Sequence, residues 1–211
     1  AGAGDITCLT ARPRTGRLIS VAVCTRNRHH SIGATLESLQ HQQYANYEVM
    51  VIDNAPSDDA TERVVRDLHP GVRYILELQP GLDNARNRAM REARGEIVAF
   101  IDDDAIADPG WLQALAPLFD DPQVLCATGL VVPAQLETAG QDLFERYGYS
   151  KGFRRVTFRL DAPPHVPVFP YKGYIGTGCN CALRRDTLDL VGPFDPGLDM
   201  GTPVPGGGDH D

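Results

Sequence analysis

An α/β fold, with a mostly parallel sheet between two helical layers, is what this sequence predicts. Three observations carry that reading. Short apolar runs alternate with stretches of helical spacing, which is the pattern of a sheet covered on both faces. The runs are apolar throughout, as strands buried on both sides should be. Polar and acidic residues gather directly after the runs, where open α/β sheets collect their ligands.

The elements follow in order. Leu18 to Cys24 is apolar and β-branched, a good first strand, and the polar turn Thr25-Arg26-Asn27-Arg28 comes after it. Ile32, Leu36 and Leu39 then recur at helical spacing, with Ser31 as the expected N-cap. Tyr47 to Ile52 is a second buried strand ending at Asp53. The turn Asn54-Ala55-Pro56-Ser57 leads into a helix whose stripe is Val64, Val65 and Leu68. Val72 to Leu78 is a third strand. Pro80-Gly81 breaks it, Leu82, Ala85, Ala89 and Ala93 mark a helix, and Gly95 is read as its stop. Ile97 to Ile101 is the fourth strand, and Asp102-Asp103-Asp104 stand at its end.

The second half is less regular. Pro109 to Phe119 reads as a helix with Pro109 in its first turn and Asp108 as N-cap. Val124 to Val132 reads as a strand. Residues 133–170, rich in proline and aromatics, read as an insertion beside the site rather than a second domain. Tyr174 to Leu183 is a strand interrupted by Gly176 and Gly178, and a short helix follows near Asp186–Val191. Residues 1–17 are expected to be a flexible tail, leaving 18–211 as one domain.

Composition narrows the function classes. The chain has 211 residues, 42% hydrophobic and 23% charged, as a globular domain should. A net charge of -8 argues against general nucleic-acid binding, which wants a basic face. Five cysteines without a CxxC pair argue against a disulfide framework and for a reduced setting. No run of about 18 apolar residues is present, so no transmembrane segment is expected. No secretory signal is read either. The expected location is cytoplasmic, with a membrane-peripheral position left open.

Asp102, Asp103 and Asp104 are the sharpest functional signal. Three adjacent carboxylates repel one another, and burying them unpaired is costly. A cation or several donors must lie close by, and a divalent metal shared with a diphosphate would answer the problem. The competing reading is a solvated loop. Asp53 stands at the same sheet edge and competes with a plain Asx turn. Arg86 lies on the helix before the acidic strand, either near a phosphate or on a solvated face. No GxGxxG follows the first strand, which argues against a nicotinamide site.

Taken in order, the motifs resemble the family 2 glycosyltransferases, inverting enzymes of the GT-A fold, a Rossmann-like three-layer sandwich. Val21 to Arg28 resembles the family's first strand and loop; Val49 to Asn54, with Ser57-Asp58, its second strand and turn. Gly81, Ala85-Arg86-Asn87 and Ala93 to Glu96 precede the acidic motif as they do in the family, and Asp102 to Asp104 fits Asp-x-Asp. Gly176 to Asn180, Arg184-Arg185 and Val191 to Asp195 are similar to the acceptor-side segment, and Gly207-Gly208-Asp209-His210-Asp211 to the family's Gly-Glu-Asp-x-Asp. Two positions depart from the pattern: Arg26 stands where tyrosine is common, and Gly208 where glutamate is.

The resemblance implies a reaction and a set of roles. The donor would be a UDP-, GDP- or dTDP-linked sugar, the acceptor a hydroxyl of a glycan or lipid-linked glycan, and the cofactor Mg2+ or Mn2+. Asp104 would hold the metal with help from Asp102. Thr25, Arg26, Asn27, Asp53, Arg86, Asp102 and Asp103 would line the nucleotide-sugar. Thr177, Gly178 and Asn180 would face the acceptor, although Thr177 and Asn180 could equally be strand-interior residues. Asp209 would be the general base, against the alternative of a functionless Gly-rich tail. The family continues with at least one more helix, so a catalytic domain truncated at its C-terminus is expected. Two rival classes are a sugar nucleotidyltransferase and a non-catalytic nucleotide-sugar-binding module. The first is disfavoured because Thr25-Arg26-Asn27-Arg28 lacks the glycines of its usual loop.

Overall fold

The computed structural model describes residues 16–146, 155, 157 and 177–198. Six strands form one sheet in the order β3-β2-β1-β4-β6-β5. They are β1 (Ile19–Thr25), β2 (Tyr47–Asn54), β3 (Arg73–Glu77), β4 (Ile97–Ile101), β5 (Cys126–Thr128) and β6 (Asn180–Arg184). β1 to β4 are mutually parallel, whereas β6 runs antiparallel to both β4 and β5. The helices are α1 (His29–Gln40), α2 (Ala60–Leu68), α3 (Leu82–Glu92), α4 (Trp111–Leu115), α5 (Ala139–Arg146) and α6 (Thr187–Val191).

Strand alternation divides the core between two layers. On one face Val21, Val23, Val49, Val51 and Ala99 meet Ile32, Leu36 and Leu39 of α1, Val65 of α2, and Leu112 and Leu115 of α4. On the other face Ala22, Met50, Ile52, Val98 and Phe100 meet Ala85, Ala89 and Met90 of α3. The three-layer α/β expectation therefore holds, with β4 buried along its whole length.

Several local expectations are corrected. The helix α1 begins at His29, and the Ser31 hydroxyl donates to the Arg28 carbonyl at 3.1 Å instead of capping the helix. Leu68 is largely exposed, so the α2 stripe ends at Val65. α3 already stops at Glu92; Gly95 is needed because a Cβ there would lie 2.5 Å from the Leu18 carbonyl oxygen, where the chain passes close to β1. Pro109 lies ahead of α4, whose N-cap is Gly110, and Asp108 accepts from the Gly110 N–H at 2.7 Å in an Asx turn. Beyond Leu115 the helix tightens to a 3-10 turn over Ala116–Asp120, where Pro117 removes a donor.

β5 keeps only three of the nine residues expected of its strand, because Leu130 and Val132 are exposed and find no sheet neighbour. β6 begins at Asn180, the described residues 177–179 leading into it as a turn while Tyr174 to Gly176 lie outside the described residues, and within 133–170 the stretch Ala139–Arg146 is a regular helix. Gly16 and Arg17 are not loose. Tyr44 donates its hydroxyl to the Arg17 carbonyl at 2.6 Å, Asn46 donates to the Gly16 carbonyl at 2.8 Å, and Arg17 pairs with Glu96.

Candidate active site

The parallel register builds the site. Thr25 of β1 pairs with Asp53 of β2, and Ala22 pairs with Phe100, so continuing β1 and β4 by three residues sets Thr25 beside Asp103. Alternation then turns Thr25, Asp53 and Asp103 to one face. The Thr25 hydroxyl donates to Asp103 Oδ2 at 2.6 Å. Asp103 is buried, 5% exposed, while its neighbours Asp102 and Asp104 are exposed. The middle acid is thus tied to the frame and the outer two open to the rim.

Arg28 is the residue of this rim that sequence reasoning passed over. Its Nε lies 3.3 Å from Asp103 Oδ1, and its Nη2 donates to Asp104 Oδ2. Burial opposes the Arg28 charge, but Asp103, Asp104 and Asp102 together outweigh it and raise its pKa. Burial likewise pushes the Asp103 carboxyl above the usual range, with the Thr25 hydrogen bond and Arg28 pulling the other way. A signal was available: three adjacent acids demand a cation, and Arg28 closes the loop of a strand that could neighbour theirs.

Asp53 is fully buried. Tyr74 of β3 donates to its Oδ2 at 3.0 Å, and Oδ1 has no partner among the described residues. Burial raises its pKa; the Tyr74 hydrogen bond opposes that, and Asp58 and Glu62 reinforce it. A buried carboxylate oxygen without a donor is costly.

Asn27 has a positive φ of 57° and braces two rim loops, its Oδ1 accepting from the Ser57 N–H at 2.8 Å and the Ser57 hydroxyl at 3.0 Å. Asn54 braces the next pair. It donates to the Gln79 carbonyl at 2.7 Å and accepts from the Gly81 N–H at 2.9 Å. Arg26 is exposed. Arg86 is buried on α3, donates to Asp83 Oδ1 at 2.8 Å and lies over the Phe194 ring at 5.7 Å. Asn87 exchanges two hydrogen bonds with the Phe194 backbone, at 2.8 and 3.0 Å, which docks the 192–195 segment on α3. Cys24, on the α3 face of β1, has its thiol pushed up to about 12, chiefly by burial, and so stays protonated.

The acceptor-side group reaches the same rim. Asn180 pairs with Ile101, the last residue of β4. Its Oδ1 accepts from Trp111 Nε1 at 2.9 Å and its Nδ2 donates to the Leu130 carbonyl at 3.0 Å, a bracing role that matches the strand-interior alternative. Thr177 Oγ1 lies 3.1 Å from Cys179 Sγ, and Gly178 completes the turn into β6. Asp209 lies outside the described residues, as do Gly176 of the acceptor-side segment and the glycines of the final motif.

The model of glycosyl transferase family 2 matches residues 20–191. The chain belongs to this family. Among its relatives, an uncharacterized protein of Mycobacterium tuberculosis is 31% identical over 197 residues, 90% of this chain and 61% of its own length. A glucosyl-dolichyl phosphate glucuronosyltransferase of Haloferax volcanii is 32% identical over 182 residues, 84% of this chain and 56% of its own. A mannosyltransferase of Pyrobaculum calidifontis, solved with GDP-Man and Mn2+, superposes with a TM-score of 0.63 at 24% identity, over 94% of this chain and 51% of that one. The last likeness is one of fold, the GT-A arrangement of a glycosyltransferase. This family 2 chain spans between about half and three-fifths of the length of these relatives.

Proposed function

We propose that this domain transfers a sugar, with inversion, from a nucleoside diphosphate sugar to a hydroxyl acceptor in a metal-dependent reaction. The observation that carries the reading is the exposed–buried–exposed order of Asp102, Asp103 and Asp104 at the carboxyl edge of the parallel strands β1 to β4. Asp103 is the anchor, and its alternation leaves two hard oxygen ligands facing outward. No cluster of three metal-ligating side chains occurs among the described residues. Mg2+ or Mn2+ suits this role, since such ions take one or two carboxylates and complete their shell with phosphate and water. Asp104 and Asp102 are the residues that would hold it. When bound, the ion offsets negative charge on the departing diphosphate.

The chain's own groups do the rest. Asp53, with one buried carboxylate oxygen free of donors among the described residues, accepts a hydrogen bond from the ribose or base. Thr25 and the braced loop at Asn27 shape the nucleotide wall, and Arg26 offers a flat guanidinium for stacking. Arg86 adds positive charge beneath the acidic rim. Asp209 accepts the proton of the acceptor hydroxyl as its oxygen bonds to the anomeric carbon; the bond to the diphosphate breaks with its electron pair on the diphosphate oxygen. Attack opposite the leaving group inverts the centre. Thr177 and Gly178 border the acceptor, and Asn180 braces the strand that presents them. A lipid-linked acceptor is supported by the name of the Haloferax volcanii relative, a glucosyl-dolichyl phosphate glucuronosyltransferase. No described helix is long and apolar enough to cross a membrane.

Two variants test the assignment. Asp104→Ala should lose metal-dependent binding of nucleoside diphosphate by calorimetry and lower transfer about 10²–10³-fold. Asp209→Asn should bind nucleotide normally and fail to transfer. Transfer at the native rate by either variant would overturn its role, and binding without transfer by the native chain would favour a binding module.

A further inference from the structure

We infer that Arg28 is a built-in stand-in cation for the acidic rim, holding Asp104 until a divalent metal displaces it and then serving the diphosphate. The inference rests on the metal-holding role proposed for Asp104 and Asp102.

The geometry supports an exchange. One guanidinium spans two carboxylates, with Nε near Asp103 at 3.3 Å and Nη2 on Asp104. Its inner partner need not be released, because Nε can stay near Asp103, which also accepts the Thr25 hydroxyl at 2.6 Å. Its outer partner sits in the open: the Arg28 side chain is 46% exposed and that of Asp104 52%. Releasing Asp104 therefore strands no buried charge, and the penalty for breaking a buried pair does not apply. The Arg28 backbone is fixed, its carbonyl accepting from the Ser31 N–H at 3.1 Å and the Ile32 N–H at 3.3 Å in the first turn of α1. Only the long side chain has to move.

Charge balance gives the exchange a direction. The three aspartates and Arg28 leave two negative charges, which a divalent ion neutralises. With the ion on Asp104, the Arg28 Nη2 loses its carboxylate partner, and the diphosphate of the donor, which brings new negative charge to the balanced rim, supplies another. Metal alone must compete with Arg28 for Asp104, whereas metal with diphosphate recruits Arg28. Arg28 should thus weaken metal binding in the absence of nucleotide and strengthen the coupling between the two ligands.

The full chain can be titrated with Mn2+ by electron paramagnetic resonance, with and without a nucleoside diphosphate. Arg28→Gln should bind Mn2+ alone about tenfold more tightly than the native chain, since a cation facing a divalent ion is removed. The nucleotide should then enhance Mn2+ affinity by a smaller factor than it does natively. A purely structural arginine would instead weaken Mn2+ binding when replaced. Unchanged or weaker Mn2+ binding by Arg28→Gln overturns the inference. Should that variant fail to fold, Arg28→Met, which also removes the charge, decides: a Mn2+ affinity above the native value supports the exchange, and an equal or lower one refutes it. Asp104→Asn separates the two readings, for loss of Mn2+ there upholds the metal site whatever Arg28 does, while native affinity removes the metal site itself.

Discussion

The two ends of β1 and β2 carry the same kind of groups and treat them oppositely. At the amino end Ser20 faces Glu48; at the carboxyl end Thr25 faces Asp53. Glu48 accepts from the Ser20 hydroxyl at 2.7 Å, the Arg94 N–H at 2.9 Å and Arg73 at 3.1 Å. Although burial pushes its pKa up, these donors outweigh burial and hold the carboxyl below its usual range. Asp53 has one donor, Tyr74, and burial wins, so its pKa rises. Asp103 is likewise raised by burial despite Thr25 and Arg28. The amino end is a finished clamp joining β1, β2, β3 and the approach to β4. The carboxyl end keeps negative charge that the described frame does not fully satisfy, which is what a site awaiting donors and a cation requires.

Three measurements can break this contrast. The largest effect on stability should come from Glu48→Ala, about 3 kcal/mol in urea denaturation, because it leaves Arg73 and the Arg94 N–H without their shared carboxylate. Since the Glu48 pKa is lowered on folding, its contribution is present above the ordinary carboxylate range and lost as pH falls through the folded value. The advantage of the native chain over Glu48→Gln should shrink accordingly in acid. A loss below about 0.5 kcal/mol would mean the clamp is ornamental.

Asp53→Asn should act in the opposite sense, stabilising the fold by about 1 kcal/mol at neutral pH while weakening nucleotide binding. A raised folded pKa means stability is fully present below the unfolded value and lost as pH rises through the folded one. The gain from asparagine should therefore vanish on acidification, and a gain independent of pH would contradict the assignment. The smallest effect belongs to Asp104→Ala. Its exposed side chain should leave the melting free energy within about 0.5 kcal/mol of native even though transfer collapses. A strongly destabilised Asp104→Ala would show that its bond to Arg28 is structural, against the exchange proposed above.

Much of the first half of the chain was legible because its signals are local. Apolar runs named β1 to β4 within one or two residues, and the acids directly after β4 marked its end as polar. The other half was less so. Antiparallel β6 and the three-residue β5 have short, weak runs, and periodicity carries no strand direction. Ser31 and Gly95 suit a cap and a stop by type, but Ser31 reaches back to Arg28 and Gly95 yields to the close passage of β1. Asn180 was assigned to the acceptor side, and its engagement of Trp111 and Leu130 depends on partners 69 and 50 residues away. Arg28 escaped for the same reason, its partner Asp104 lying 76 residues further along.

The sequence by itself determined the alternation of strands and helices and the crowding of carboxylates at strand ends, because apolar periodicity and like-charge repulsion act between neighbours in the chain. The tertiary structure alone decided that β1 lies between β2 and β4, so that Thr25 joins Asp53 to Asp103 and Arg28 meets Asp103 and Asp104. Strand order is set by how two helical layers share one core, and that packing is a property of the whole domain.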